Sequence, residues 1–318
     1  MFWKADNENS SLLSVSRRAM NVDFEILFPR MLFQHGTEAA IKALDEVERL
    51  EQVLSVFRFD SKVQYINLTA YNETVKIDNE LLELITKCQE IAEQTEGAVD
   101  ITSGILWKLW GFAKGKKIIP HKNEIENALK SVDYKSLIID PVNQTIRFKL
   151  PEMMLNFGCA GKGFAIDAGS KCLCDFEVNR FLFHGGLSSM LVKGENWKIG
   201  ISDPLRGNKR LMEIMLSDKA ISTSSSQKQF FRHEGRRFSH LIDPRTGYPA
   251  DNVLSVTVIA TSGILAELLS TAFFIMGFEK TIEYQKNHPE ISALFILPAN
   301  SKNKNYEIKT IGELHEIK

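Results

Sequence analysis

The feature that most constrains this chain is a change of period along it. Segments alternating polar and apolar residues, the mark of half-buried strands, are interrupted at irregular intervals by segments with apolar residues every three or four positions, the mark of amphipathic helices. Residues 21–28 alternate. Residues 37–56 carry apolar side chains at helical spacing (40, 41, 44, 47, 50, 53 and 54). A second helix is predicted over 79–95, with Leu81, Leu82, Ile85, Cys88, Ile91 and Ala92 on one side and Gly97 to stop it. Short strands are predicted at 136–140, 145–150, 180–184, 197–202, 211–216 and 253–260, with helices near 163–173, 264–275 and 281–286. No steady strand–helix–strand rhythm runs through them, so an α+β fold is expected rather than a doubly wound parallel sheet. Residues 1–18 are polar and read as a flexible N-terminal segment.

With 318 residues, 44% of them hydrophobic and 25% charged, the chain has enough apolar surface for a large core and is not disordered in composition. Its 39 Lys and Arg nearly balance its 40 Asp and Glu, which leaves no electrostatic footprint for nucleic acid or an anionic membrane; any anionic ligand must be held locally. The start lacks a basic end followed by about 7–15 apolar residues, and nothing approaches about 18 uninterrupted apolar residues, so neither a secretory signal nor a membrane span is expected and a cytoplasmic location is. Cys88, Cys159, Cys172 and Cys174 fit neither a zinc ribbon nor a CxxC redox pair and are expected as reduced thiols.

Four motifs could carry chemistry. Residues 156–167 (NFGCAGKGFAID) place three glycines within six residues around Lys162, ahead of a helix, a pattern that lets backbone N–H groups and an ammonium approach a phosphate. It is not a Walker A loop: Asn156 stands where the first glycine belongs and Gly163, not Ser or Thr, follows the lysine. A tight strand-to-helix turn with a solvated lysine reads equally well. Residues 239–249 (SHLIDPRTGYP) describe a turn, with Pro244 fixing φ and Gly247 able to take a positive one; His240 at its edge suits either a ligand contact or a structural histidine. Glu267 and Thr271 stand at i and i+4, so a helix would put two hard oxygen donors of the kind magnesium accepts on one face, or simply two polar groups on an amphipathic surface. Residues 184–189 (HGGLSS) end an apolar run and suit a ligand floor or a hairpin corner; Ser188 lacks the GxSxG context of a hydrolase nucleophile.

Taken together and in order, these pieces resemble the ApbE family of FAD:protein FMN transferases, from about Ala19 to Leu297. HLIDPRTGYPA is the most specific, followed by LNFGCAGKGFAID and AELLSTAFFIMG, with support from LSVFRFDS (54–61), EGAVDITSG (96–104) and ISTSSSQKQFF (221–231). The resemblance implies one domain over 19–318, built of antiparallel sheets flanked by helices in a T-fold-related architecture around a buried FAD site. It implies a Mg²⁺-dependent transfer of FMN from FAD to a Thr or Ser hydroxyl of an acceptor flavoprotein, with AMP leaving. Met20, Phe57, Ala98, Val99, Asp100 (through backbone and carboxylate), Asn156, Lys162, His240 and Ile242 would contact the cofactor. The backbone carbonyl of Cys159 and the side chains of Glu267 and Thr271 would hold the metal, and His240, Lys162, Glu267 and Thr271 would serve catalysis, His240 ahead of Asp243 as general base. The chain departs from the family where Asn156 and Glu267 replace common Asp residues and where HGG-x-SS, similar to one subgroup, replaces Gly-Gly-Asp. An FAD pyrophosphatase or a non-catalytic flavin-binding protein would need the same residues.

Overall fold

The computed structural model describes residues 2–4, 12–113, 118–206, 209–227, 230–299 and 305–317. The chain opens with strands β1 (Phe2–Lys4), β2 (Leu12–Ala19) and β3 (Val22–Pro29), helices α1 (Phe33–Leu54) and α2 (Lys62–Thr69), and strand β4 (Val75–Lys76). Helices α3 (Asn79–Gln94), α4 (Gly104–Leu109) and α5 (Lys122–Leu129) follow, then β5 (Leu137–Asp140), β6 (Thr145–Phe148) and α6 (Gly161–Asp175). Next come β7 (Phe181–Gly185), β8 (Ser189–Lys193), β9 (Trp197–Ser202), β10 (Arg210–Leu216), β11 (Lys219–Ser225), β12 (Phe230–His233), β13 (Arg236–Ser239) and β14 (Ser255–Ala260). Helices α7 (Gly263–Met276) and α8 (Phe278–Asn287) and strands β15 (Ser292–Pro298), β16 (Tyr306–Ile311) and β17 (Glu316–Ile317) complete it.

The central layer is an antiparallel sheet in the order β16-β15-β14-β11-β8-β7-β3-β2, which draws strands from both ends of the chain. Helices α1, α6 and α7 cover one face. A second antiparallel sheet, β1-β9-β10-β17, covers the other, where Leu182, Met190 and Ile221 meet Trp197, Ile199 and Ile214. Strand β7 is buried at every residue because it lies between both layers: Phe181 and Phe183 face α1 and α6 while Leu182 faces the second sheet. That is why its sequence is an apolar run rather than an alternation. Helices α2 and α3 and the small sheet β4-β6-β5 extend the core beside α7.

The expectation of a loose N-terminal segment is corrected. Residues 2–4 and 12–19 are strands; residues 5–11 lie outside the described ones. In β2 the inward positions are Leu13, Val15, Arg17 and Ala19. Arg17 disguises the alternation, yet it faces α1 and binds Asp45 at 2.5 Å and Glu48 at 3.1 Å, its aliphatic stem serving as part of the apolar face. Helix α1 begins earlier than its apolar spacing suggests, fed by a short 3₁₀ turn at Arg30–Leu32. Helix α3 matches its expected span because Asp78 caps it, accepting the Leu81 N–H at 2.9 Å.

Candidate active site

The site is organised by the crossing of two helix starts. After Asn156, whose Oδ1 accepts the Gly158 N–H at 2.8 Å, the chain turns into α6, whose own N-cap residue, Ala160, supplies no side-chain bond. A Cβ on Gly163 would lie 2.3 Å from the carbonyl oxygen of Gly263, so the first turns of α6 and α7 touch backbone to backbone and only glycine fits. One turn further, the part-buried Asp167 accepts the N–H groups of Gly263 at 2.6 Å and Ile264 at 2.9 Å, donors that the start of α7 leaves unpaired. Burial pushes its carboxyl up to about 6, against those two hydrogen bonds.

This crossing sets Glu267 of α7 beside the start of α6. Glu267 is 4% exposed; its Oε2 accepts the Gly163 N–H at 2.6 Å, and its Oε1 meets the Lys162 ammonium and accepts from Ser189 at 3.3 Å. A carboxylate thus caps α6 from a neighbouring helix, favoured by the helix dipole and neutralised by a cation. From there a belt of hydroxyls runs along α7 and β11. Ser189 lies 3.4 Å from Ser222, Ser270 donates to Ser222 at 3.3 Å, and Ser224 lies 2.9 Å from Ser270 and 3.3 Å from Thr271. Thr271 also donates to the Glu267 carbonyl at 3.3 Å, one helical turn back.

Loops and a hairpin form the remaining wall. Met20 and Asn21, at φ 48° and 63°, make the two-residue turn between β2 and β3, and Glu51 of α1 anchors it by accepting the Met20 N–H at 2.8 Å. Phe57 meets Trp107 edge to face at 5.8 Å. The loop bearing Ala98, Val99 and Asp100 is braced from within. Asp100 Oδ1 accepts from the N–H and hydroxyl of Thr102, both at 2.7 Å, and Oδ2 accepts the Tyr134 N–H at 2.9 Å. Its carboxyl, which burial pushes up, braces the loop. Ile242 bridges to Pro249 across a turn in which Gly247 takes φ +77° and Asp243 accepts two bonds from the Arg245 guanidinium, each at 2.8 Å. Asp243 is thus held by an arginine and is not among the cavity-lining residues, which leaves His240, edge-on to Phe112 at 6.4 Å, as the titratable group of this motif on the wall.

These elements enclose a cavity of about 470 Å³, within the range of ligand pockets. The structure brings together on its wall Met20, Phe57, Ala98, Val99, Asp100, Asn156, Cys159, Lys162, His240, Ile242, Glu267 and Thr271. It adds residues that sequence reasoning left unnamed as site residues: Glu51, Ser55, Trp107, Ser189, Ser222 and Ser224. The signal for the serines was present in HGGLSS and STSSS, but those strands carry hydroxyls where a strand pattern needs apolar residues. HGGLSS is both a hairpin corner, with Gly186 and Leu187 at positive φ, and part of the cavity floor. Among the described residues no three His, Cys, Asp or Glu side chains cluster as metal ligands. The available donors are oxygens, the kind magnesium prefers. They are too few to hold it alone, which fits a cation that arrives with phosphate oxygens and water. The Cys159 thiol is pushed up to about 12, by burial first and Glu267 second, so it offers no thiolate.

A lysine among glycines, a carboxylate that caps α6, a belt of hydroxyls and aromatic side chains line one cavity, a set of groups whose chemistry suits an anionic phosphate. The chain belongs to the ApbE family, whose sequence profile matches residues 20–295. A relative from Treponema pallidum named FAD:protein FMN transferase is 30% identical over 279 residues, covering 80% of this chain and 77% of its own. One of the same name from Buchnera aphidicola is 31% identical over 286 residues, covering 86% and 83%. The ApbE protein of Thermotoga maritima superposes with a TM-score of 0.83 at 29% identity, covering 94% of this chain and 96% of that one. The flavin transferase ApbE of Vibrio cholerae superposes at 0.81 with 25% identity, covering 95% and 96%. The fold is the expected α+β arrangement of antiparallel sheets and helices. No helix among the described residues is long and apolar enough to cross a membrane.

Proposed function

We propose that this chain is a magnesium-dependent FAD:protein FMN transferase. A Thr or Ser hydroxyl of an acceptor protein attacks the FMN-side phosphorus of FAD. One P–O bond forms, the bond to the bridging oxygen breaks, AMP leaves, and the hydroxyl proton passes to a base, for which His240 is the candidate. The observation that carries this reading is the Lys162–Glu267 pair at the α6–α7 crossing. The pair is neutral as it stands, with a cation for a phosphate and a carboxylate for a metal ion. Lys162 would turn to a pyrophosphate oxygen, and Glu267 and Thr271, with the Cys159 carbonyl, would hold the cation. Bound there, Mg²⁺ would supply charge neutralisation to the pyrophosphate.

This chain's own residues do the rest. Lys162, at the start of α6, would face the phosphates. Phe57 and Trp107 offer ring surface, Met20 lines the wall from the hairpin turn, and Ser189, itself beside Ser222, donates to the carboxylate of Glu267. Family membership, and relatives that bear the transferase name, support the acceptor hydroxyl over water as nucleophile. The deciding measurement is mass spectrometry of a candidate acceptor co-expressed with this protein. An added FMN on Thr or Ser is expected. Release of FMN and AMP with no adduct would mean hydrolysis, and bound FAD with no AMP at any Mg²⁺ concentration would mean a binding protein.

A further inference from the structure

Charge is unevenly placed in this nearly neutral chain. Residues 101–123 hold five lysines and no carboxylate, and residues 226–240 hold Lys228, Arg232, Arg236 and Arg237 against Glu234 alone. Lys114, Lys116, Lys117 and Lys228 lie outside the described residues; the described parts of the two segments pack together. Trp110, just past α4, meets Phe238 at 5.6 Å, and Phe112 meets Phe231 at 5.8 Å. Phe231 and Phe238 stack at 5.3 Å across the β12–β13 hairpin. The lobe adjoins the cavity directly: Ser225 before the hairpin, His240 after it and Trp107 of α4 all line the wall.

Among the described residues, Lys122 reaches Glu126 at 3.6 Å, whereas Lys108, Arg232 and Arg237 have no carboxylate partner. Arg237 donates to Gln227 Oε1 at 2.6 Å and to Ser226 Oγ at 2.5 Å, both uncharged, and lies 4.8 Å from the Phe230 ring centre. Arg232, exposed, lies 5.9 Å from the same centre and has no carboxylate partner among the described residues. Burial and Arg232 both lower the Arg237 pKa, the signature of two guanidiniums brought close without an anion. Lys108 is exposed on α4 next to Trp107. The one carboxylate of the hairpin, Glu234 at its tip, is exposed and faces His233 at 4.0 Å.

We infer that the β12–β13 hairpin and α4 form a cationic lip that docks an acidic segment of the acceptor protein beside the cavity. The inference rests on the transferase reading and adds the chemistry of the partner. The hairpin stands on an aromatic platform, and Phe230, Gln227 and Ser226, all uncharged, hold its guanidiniums, so their charge remains available. Opposite charge at such a rim acts mainly on encounter and on the choice of partner.

The test uses the full chain loaded with FAD and two fluorescent peptides, each with a central Thr, flanked by Asp and Glu in one and by Asn and Gln in the other. The acidic peptide should bind roughly fivefold to tenfold more tightly at low salt, a preference that shrinks with added salt. Arg232→Glu and Lys108→Glu should each erode the preference, with FAD affinity and thermal midpoint unchanged. Equal binding of both peptides, or a preference intact in both variants, overturns the lip. Binding to phosphatidylglycerol vesicles without any preference between the peptides overturns it as well, in favour of a lipid surface. FMN adducts on co-expressed acceptor are read separately, so the lip can fail while the transferase reading stands, and the reverse.

Discussion

The two sides of the cavity are built by opposite means. The α6–α7 crossing is backbone against backbone, with Gly163 and Gly263 in contact and Asp167 and Glu267 each capping the neighbouring helix. The rim around α4 and the β12–β13 hairpin is ring against ring, with exposed charges on top. A backbone contact has no side chain to yield, so the groups it positions are fixed to fractions of an ångström. Stacked rings tolerate small shifts, and the charges they carry can change without disturbing the fold. The first construction suits groups that handle a phosphate; the second suits recognition of a partner.

The sharpest way to break this contrast is at the crossing. Glu267→Ala should lower turnover by about a hundredfold or more and spare most FAD binding, since it removes the carboxylate that faces both Lys162 and the cation. Thr271→Ala should act in the same direction. Retention of Mg²⁺-dependent turnover in both would remove the metal assignment. Gly163→Ala should destabilise the fold by about 3 kcal/mol in urea unfolding, because the new methyl meets a carbonyl rather than a flexible side chain.

Asp167→Asn tests the clamp through pH. The carboxyl is raised to about 6 in the folded protein from the 3.8 of a free side chain. Between those values the native state holds a proton that the unfolded chain has released. Stability therefore falls as pH rises from about 4 to about 6, by on the order of 2 kcal/mol, and is flat above. The Asn variant should lack that slope. An identical pH profile in both proteins would show the carboxyl to be ordinary. The smallest effect belongs to the rim: Trp110→Phe removes the bond from its indole N–H to the Gly247 carbonyl (2.9 Å) and should cost about 1 kcal/mol in thermal or urea unfolding. A loss as large as that of Gly163→Ala would mean that the two sides are equally rigid.

Much of this was open to reading from residues alone where local physics governs. Apolar spacing located α1, α3, α6 and α7, and the apolar run of β7 marked a strand, whose burial on both faces the fold revealed. Glu267 and Thr271 at i and i+4 share a helix face whatever surrounds them. Motifs shared with the family named twelve residues that the fold brings to one cavity. Strands held by their neighbours were hidden. Strand β11, with Ser222, Thr223, Ser224 and Ser225, has no apolar alternation and exists because β8 and β14 pair with it. Strand β2 hides an inward position under Arg17. Asp100 reads as a cofactor-lining acid and Asp243 as a second choice of base after His240, and only the fold shows their partners, Thr102 and Tyr134 for the first and Arg245 for the second.

Sequence by itself determined the elements with strong period, the turn chemistry around Gly247 and the family, because each depends on residues close together or on a fixed order of motifs. Tertiary structure alone decided that Lys162 and Glu267, 105 residues apart, form one ion pair. It also decided that two basic segments share an aromatic platform. Such contacts arise from how helices cross and which strands pair, and no local pattern encodes a distance between residues so far apart along the chain.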